Sequence, residues 1–189
     1  MKILVIGSTD SGKSAYAEAR AADIVSAHRF YIATMLIQDD DGYKRVVKHR
    51  KMREGAGFNT LEVPRDVQSA LLSIPDPKRS LVLLECISNL VGNELYNAEP
   101  GISGEEMLAP ARVSKLKSKI VSDVCALADA VQDIIIVANR YEEDAPGYDD
   151  ATRRYVFLNN AVSNMLKDKV DEVVDISAAK ETAIENEDT

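Results

Sequence analysis

The residue types best suited to chemistry fall in two clusters, and the first opens the chain. Gly7-Ser8-Thr9-Asp10-Ser11-Gly12-Lys13-Ser14 follows the spacing G-x-x-x-x-G-K-[ST] and stands between an apolar run, Ile3 to Ile6, and a stretch of helical character. Glycines at the two ends let backbone N–H groups turn inward with no Cβ in the way. Those N–H groups, with the N-terminus of the following helix, make a cradle for phosphate. Lys13 is expected to reach the β- and γ-phosphates and the Ser14 hydroxyl to hold Mg²⁺, so the expected ligand is a nucleoside triphosphate. Glu85 closes the run Leu81-Val82-Leu83-Leu84, where a carboxylate at a strand end would position Mg²⁺ or its water. The blander reading of Glu85 is a carboxylate that caps a helix or sits in a loop.

The second cluster is Arg45-Val46-Val47-Lys48-His49-Arg50-Lys51-Met52-Arg53. If helical, Arg45, His49 and Arg53 are spaced by four and share one face. Two arginines around an imidazole suit a polyphosphate straddling the ring. Nearby positive charge also keeps more of the imidazole neutral, and a neutral ring can act as a nucleophile. The bland alternative is a solvated basic helix with an incidental histidine. His28, beside Arg29, reads as a surface loop residue. Tyr141, Glu142, Asp144, Asp149 and Asp150 read more simply as a solvated loop than as site residues. Asn139, Asn159, Asn160 and Asn164 either hold ligand or cap and bridge.

The elements that must position these groups follow from alternating patterns. Short apolar runs alternate with helical periods, which gives the fold class: α/β, P-loop NTPase-like, with a mostly parallel sheet and helices on both faces. Strands are expected at about 2–7, 30–35, 59–63, 80–86, 133–139 and 171–177. Helices are expected at about 13–23, 40–53, 66–74, just after Cys86, at 110–131 and at 151–168. In the longest, Val113, Leu116, Ile120, Val124, Leu127 and Val131 step along one face, and Pro110 suits its first turn. Residues 97–109 and 140–150 read as loops, the second at a strand's C-terminal end, where open α/β sheets place ligands. The division expected is one nucleotide-binding domain over 1–177 and a polar, acidic, frayed tail over 178–189.

Bulk properties narrow the partners. At 189 residues, 46% of them hydrophobic, the chain fits one domain with a proper core. A net charge of −8 disfavours nucleic acid held on a broad basic surface. No apolar run approaches the roughly 20 residues of a membrane span, and the chain starts directly on a core strand, so no membrane span and no signal peptide are expected. Cys86 and Cys125 lack metal-ligand spacing and read as reduced, buried thiols of a cytoplasmic protein.

Taken together and in order, the phosphate loop, Tyr31-Ile32-Ala33-Thr34, the stretch from Arg45 to Arg53, Thr60-Leu61-Glu62-Val63-Pro64 and Leu83-Leu84-Glu85-Cys86 resemble a known family. It is the bifunctional adenosylcobinamide kinase / adenosylcobinamide-phosphate guanylyltransferase family of cobalamin biosynthesis. The resemblance covers most of residues 1–95 and returns around Asn139 and Asp171-Glu172-Val173-Val174. It implies two reactions. The first phosphorylates the aminopropanol hydroxyl of adenosylcobinamide with ATP or GTP. In the second, a histidine takes GMP from GTP, releasing pyrophosphate, and passes it to the cobinamide phosphate. His49 matches the guanylylated histidine, with Lys13 as its catalytic companion. The implied nucleotide contacts are Gly7 to Ser14, Thr34, Arg45, Arg50, Arg53, Glu62 and Glu85, with Glu62 on guanine or ribose; Ser14 and Glu85 are the implied Mg²⁺ ligands. A homo-oligomer, a trimer with sites near subunit boundaries, is implied too. The chain departs from the family pattern after Asn139, where Arg140 and an acidic loop replace a Glu and a glycine-rich turn. It departs again at Glu54, where a proline is usual. Two other readings use the same loop: a small-molecule kinase that lacks the histidine step, and a nucleotide-binding regulatory protein without transfer chemistry.

Overall fold

A computed structural model describes residues 1–36, 55, 57–96, 104–143 and 145–177. Six strands form one sheet: β1 (Lys2–Gly7), β2 (His28–Ala33), β3 (Asn59–Glu62), β4 (Ser80–Glu85), β5 (Asp133–Asn139) and β6 (Glu172–Asp175). Their order is β3-β2-β4-β5-β1-β6, and every pairing is parallel. Helices are α1 (Lys13–Ala22), α2 (Ile87–Tyr96), α3 (Gly104–Met107), α4 (Pro110–Ala130) and α5 (Asp150–Lys167).

Parallel strands buried on both faces should be apolar along their middles, and the inner strands are, with polar residues only towards their ends. Alternate residues serve opposite faces. Leu4, Ile6, Phe30, Ile32, Val82, Leu84, Ile134 and Ile136 share one cluster with the apolar stripes of α2, α4 and α5. Ile3, Val5, Tyr31, Leu81, Leu83, Ile135 and Val137 share another with Ala17 and Ala21 of α1. In α4 the expected stripe is buried from Val113 to Leu127, and Pro110 occupies the first turn. Asp149 caps α5, its Oδ1 accepting the Thr152 N–H at 2.7 Å. Those bonds to Thr152 hold the Asp149 carboxyl below the usual aspartate range.

Two expectations shift. β2 starts at His28, which is exposed yet paired with Ser80, so this histidine opens a strand rather than sitting in a loop. The segment expected as a helix over 66–74 is a 3₁₀ helix, Val67–Ser73, entered through Asp66 at φ 48 and left through an extended Ile74. Tertiary anchoring explains its form. The Lys119 ammonium of α4 lies 2.7 Å from Asp66, 2.7 Å from the buried Glu94 and 2.9 Å from Asp123, and Glu94 also accepts the Asp66 N–H. Burial lowers the Lys119 pKa, but the three carboxylates outweigh it and raise it overall. The acidic trio thus already surrounds a cation. The expected helix over 40–53, most of the loop over 97–109 and the tail from 178 lie outside the described residues.

Candidate functional site

Strand register builds the site before any loop is considered. Glu62, Ala33 and Glu85 stand side by side at the C-terminal ends of β3, β2 and β4, and the row continues through Val137 to Val5. Laterally paired residues share a face. Because Val5 and Val137 face α1, so do Glu62 and Glu85. One step further, Gly7 pairs with Asn139. The two acidic residues and the start of the glycine loop therefore lie along one edge, on the side from which α1 rises.

The loop from Gly7 to Ser14 is wound tightly on itself. Asp10 sits at φ 56 and Gly12 at φ 92, two left-handed residues that reverse the chain into α1. The Ser11 N–H donates to the Ser8 carbonyl at 3.3 Å, and the Tyr16 N–H to Gly12 at 3.0 Å. Gly7 is required for a different reason: a Cβ there would lie 2.6 Å from Ser11 Oγ and 2.9 Å from Ile176 Cγ1. Lys13 is only 6% exposed, and its ammonium donates to the Ser8 carbonyl, curled back over the cradle. A buried ammonium among backbone groups is suited to anionic oxygen.

Ser14 Oγ donates to Glu85 Oε1 across from β4. The other Glu85 oxygen, Oε2, is buried with no hydrogen-bond partner among the described residues. A hydroxyl and a carboxylate with an orphaned oxygen form an oxygen-only donor set, which fits a hard divalent cation such as Mg²⁺. Glu62 is exposed at its strand end.

Thr34 departs from the expectation of a nucleotide contact. It is fully buried, and its hydroxyl both donates to the Cys86 carbonyl at 2.8 Å and accepts the Cys86 N–H at 2.7 Å. No side-chain surface is left for a ligand. Its backbone N–H donates to the Glu85 carbonyl at 3.0 Å, so Thr34 holds the turn that follows Glu85. Asn93 of α2 braces the same corner, donating to the carbonyls of Thr34 at 2.7 Å and Pro64 at 3.0 Å. Sequence reading missed Asn93; the signal was a polar residue on an otherwise apolar helix, Ile87-Ser88-Asn89-Leu90-Val91-Gly92-Asn93. Burial pushes the Cys86 thiol up to about 11, as expected of an inert cysteine.

On the other flank of the loop the segment after β5 is more ordered than its acidic composition suggests. Tyr141 is half-buried; its hydroxyl accepts from Asn139 Nδ2 at 2.9 Å and lies 3.3 Å from the Tyr155 hydroxyl, which donates to the Ser88 carbonyl. Asn160 donates to the Tyr141 carbonyl at 2.9 Å, and Asn159 to the Asn139 carbonyl at 2.8 Å. Burial, then the neighbouring Tyr141, raises the Tyr155 phenol pKa. Bridging is thus what Asn139, Asn159 and Asn160 do here, and Asp149 is a helix cap. Glu142 and Asp150 are exposed, and Asp144 lies outside the described residues. Asn139, Tyr141, Glu142 and Asn160 border a cavity of about 910 Å³ that reaches Ser8 of the loop.

His49 and its companions Arg45, Arg50 and Arg53 also lie outside the described residues. The structure therefore brings together Gly7 to Ser14 and Glu85, leaves Glu62 on the same edge of the sheet but on β3, away from β1, and gives Thr34 a supporting place.

An all-parallel α/β sheet, a glycine loop and lysine at the end of β1, and a carboxylate at the end of β4 define a P-loop nucleotide-binding protein. Within that class the chain belongs to the cobinamide kinase / cobinamide phosphate guanyltransferase family, whose model matches residues 3–183. It is 31% identical over 139 residues to the bifunctional adenosylcobalamin biosynthesis protein CobU of Escherichia coli (strain K12), covering 74% of this chain and 75% of that one. It is 38% identical over 96 residues to the protein of the same name from Salmonella typhimurium, about half of each chain. The corresponding CobP of Pseudomonas aeruginosa is 32% identical over 122 residues, 64% of this chain and 69% of that one. Membership agrees with the motif reading of a kinase and guanylyltransferase, an enzyme of the transferase class. Among the described residues no helix is long and apolar enough to cross a membrane.

Proposed function

We propose that this chain phosphorylates adenosylcobinamide with ATP or GTP, then transfers GMP from GTP to adenosylcobinamide phosphate, giving adenosylcobinamide-GDP and pyrophosphate. The observation that carries it is the cradle itself: a buried Lys13 ammonium over the glycine loop, beside a Ser14 hydroxyl bonded to a half-satisfied Glu85.

In the first reaction the acceptor hydroxyl oxygen bonds to the γ-phosphorus as the bond to the β-bridging oxygen breaks. The hydroxyl proton passes to solvent water, and the nucleoside diphosphate departs. Backbone N–H groups of the loop orient the phosphates, and Lys13, leaving the Ser8 carbonyl, neutralises charge on their oxygens. Ser14 and Glu85 would hold Mg²⁺, which when bound supplies further neutralisation of the β- and γ-phosphates.

In the second reaction an imidazole nitrogen of His49 bonds to the α-phosphorus of GTP, and pyrophosphate leaves. The cobinamide phosphate oxygen then displaces the histidine, restoring the free ring. One difficult transfer becomes two in-line displacements. Arg45, Arg50 and Arg53 are assigned to the phosphates and Glu62 to guanine or ribose. Thr34 supports the site from behind. The reading extends to a single domain over 1–177 followed by an acidic tail, a cytoplasmic enzyme, and a homo-oligomer with no nucleic-acid partner.

The test is incubation with GTP labelled on the α-phosphate and Mg²⁺. An acid-labile, alkali-stable protein adduct is expected, and His49→Ala should abolish it. Saturating GTP without any adduct ends the guanylyltransferase half. If ATP or GTP turnover dependent on Lys13 but indifferent to His49 persists, a kinase alone remains.

A further inference from the structure

Three neighbouring strand ends carry the cradle: β1 leads into the phosphate loop, β4 ends on Glu85, and β5 lies between them. The separation of Ser14 from Glu85 is therefore set across β5. At its tip, successive backbone amides point to opposite flanks. The Arg140 N–H donates to the Gly7 carbonyl at 2.9 Å. The Asn139 N–H points the other way, where strand pairing has already stopped: Glu85 is level with Val137, and the chain then turns into α2. A backbone donor left there without a partner is costly, and the Ser88 hydroxyl accepts it at 3.1 Å. Ser88 is 2% exposed and stands in the first turn of α2, just past Glu85.

Ser88 is held a second time, through its carbonyl, and both bonds belong to one closed ring. Asn139 Nδ2 donates to the Tyr141 hydroxyl at 2.9 Å, and that hydroxyl lies 3.3 Å from the hydroxyl of Tyr155. The Tyr155 hydroxyl donates to the Ser88 carbonyl at 3.2 Å. A phenol has one proton, so Tyr155, which gives its own to Ser88, accepts from Tyr141. Every link on this arm then runs from Asn139 towards Ser88, and bonds chained in one direction polarise and strengthen one another. Burial raises the Tyr155 phenol pKa, so the hydroxyl stays protonated and keeps donating. The two phenol rings brace each other as well, with centroids 5.7 Å apart.

Glu85 needs such a strut. Its Oε2 is buried with no hydrogen-bond partner among the described residues, and a retreat of the carboxylate towards water would relieve that cost. Thr34 and Asn93 brace the corner after Glu85 from the β2 side. Nothing in the chemistry above uses Ser88, Asn139, Tyr141 or Tyr155, yet they tie the same corner to the strand that carries Gly7.

We infer that the ring of Asn139, Tyr141, Tyr155 and Ser88 is a positioning device for the cation, holding Glu85 at its working distance from Ser14. Tyr155 is its remote member, reaching from α5 and acting on Glu85 only through Ser88. The inference rests on the proposed reading that Ser14 and Glu85 hold Mg²⁺ against the phosphates. A loosened ring weakens the cation's contribution to nucleotide binding and leaves the contribution of the loop's backbone amides in place.

The test is nucleotide binding by the full chain, measured with a fluorescent, non-hydrolysable GTP analogue in Mg²⁺ and again in EDTA. The ratio of the two affinities is the coupling between cation and nucleotide, and no turnover enters it. Tyr155→Phe and Tyr141→Phe each remove one hydroxyl and keep the aromatic ring. Each should cut the coupling ratio about fivefold, the effect of losing one net hydrogen bond, with affinity in EDTA within about twofold of wild type. Because both hydroxyls belong to one ring, the double variant should lose no more than the more damaged single variant. Ser88→Ala, which removes the hydroxyl that accepts from Asn139, should lower the ratio at least as far. A merely structural role would lower the melting temperature and leave the ratio unchanged; that result overturns the inference, as do single losses that multiply in the double variant. Wild-type protein without any coupling would overturn the Mg²⁺ reading of Ser14 and Glu85, and the positioning role with it. Coupling present in wild type and unchanged in the variants overturns the positioning role alone.

Discussion

Replacing Gly7 by alanine separates the cradle's geometry from its charge, since no charged or polar side chain is removed. The added Cβ would sit 2.6 Å from Ser11 Oγ, 2.9 Å from Ile176 Cγ1 and 3.2 Å from Lys13 Cγ, where ordinary contact begins at 3.4 Å. Ser11 is about 0.8 Å too close and Ile176 about 0.5 Å, so both side chains have to shift, which disturbs the packing around the turn. Overpacking of this kind costs about 1–3 kcal/mol in stability. The larger effect falls on the ligand. Hydrogen bonds to a phosphate form only near 2.7–2.9 Å, so a shift of several tenths of an ångström removes at least one. A bond to a charged group is worth about 1.5–3 kcal/mol, which is about a 10- to 150-fold loss in affinity. Titration with a fluorescent, non-hydrolysable GTP analogue reads the affinity, and thermal melting without ligand reads stability. Ser11→Gly added to Gly7→Ala removes the worst contact and should recover part of the affinity, leaving the Ile176 contact. Unchanged affinity in Gly7→Ala would refute the claim that loop shape, rather than Lys13 alone, holds the phosphates. Equal losses in single and double variants would refute the assignment of the clash to Ser11.

Thr34→Val keeps the shape but leaves the Cys86 N–H and carbonyl without the Thr34 hydroxyl, costing about 1–3 kcal/mol. Because Cys86 follows Glu85, Mg²⁺-dependent nucleotide binding should weaken more than Mg²⁺-independent binding; equal weakening would return Thr34 to a purely structural role. Lys119→Met strands the buried Glu94 beside Asp66 and Asp123. Breaking a fully buried pair costs about 3–5 kcal/mol, and with Lys119 about one-third exposed about 2–3 is expected, seen as a fall in melting temperature with nucleotide affinity within twofold. Acid should destabilise the chain in a definite window. The Asp149 and Asp175 carboxyls lie below their ordinary value when folded, so their contribution is complete above an unfolded pKa near 4 and disappears as pH falls through the lower folded values. The opposite sign holds at Lys119, whose raised pKa gives stability that is full below about 10.5 and is lost as pH rises through the folded value. Urea midpoints across pH 2–11 should therefore show a plateau with both shoulders, and Asp149→Asn should flatten the acid one.

Much of this was legible in one dimension. The phosphate loop is local: eight consecutive residues, a strand before and a helix after contain the whole geometric instruction, so its motif and its shape agree. Continuous apolar runs announced a parallel sheet, because only strands covered on both faces dispense with polar alternation. Ordered motifs, more than any one residue, were enough to place the chain in its family, as the match over residues 3–183 bears out.

What the sequence left open depends on contacts between distant segments. Thr34 sits in a motif and looks like a ligand contact, yet register brings it beside the Glu85–Cys86 turn, where its hydroxyl is consumed by backbone. Asp66 and Glu94 lie far in the chain from the i,i+4 pair Lys119 and Asp123, and only packing of α2, α4 and the 3₁₀ segment gathers three acids around one cation. The acidic run after Asn139 reads as solvated, but the side chains of Asn160 and Tyr155, reaching across from α5, tie Tyr141 into the wall of a cavity. The sequence by itself determined the cradle and the class of chemistry, because both are written in contiguous residues. Strand order decided the flanks, because whether a residue ends beside Glu85 or across β1 from it depends on which strands are neighbours, and no local pattern encodes that.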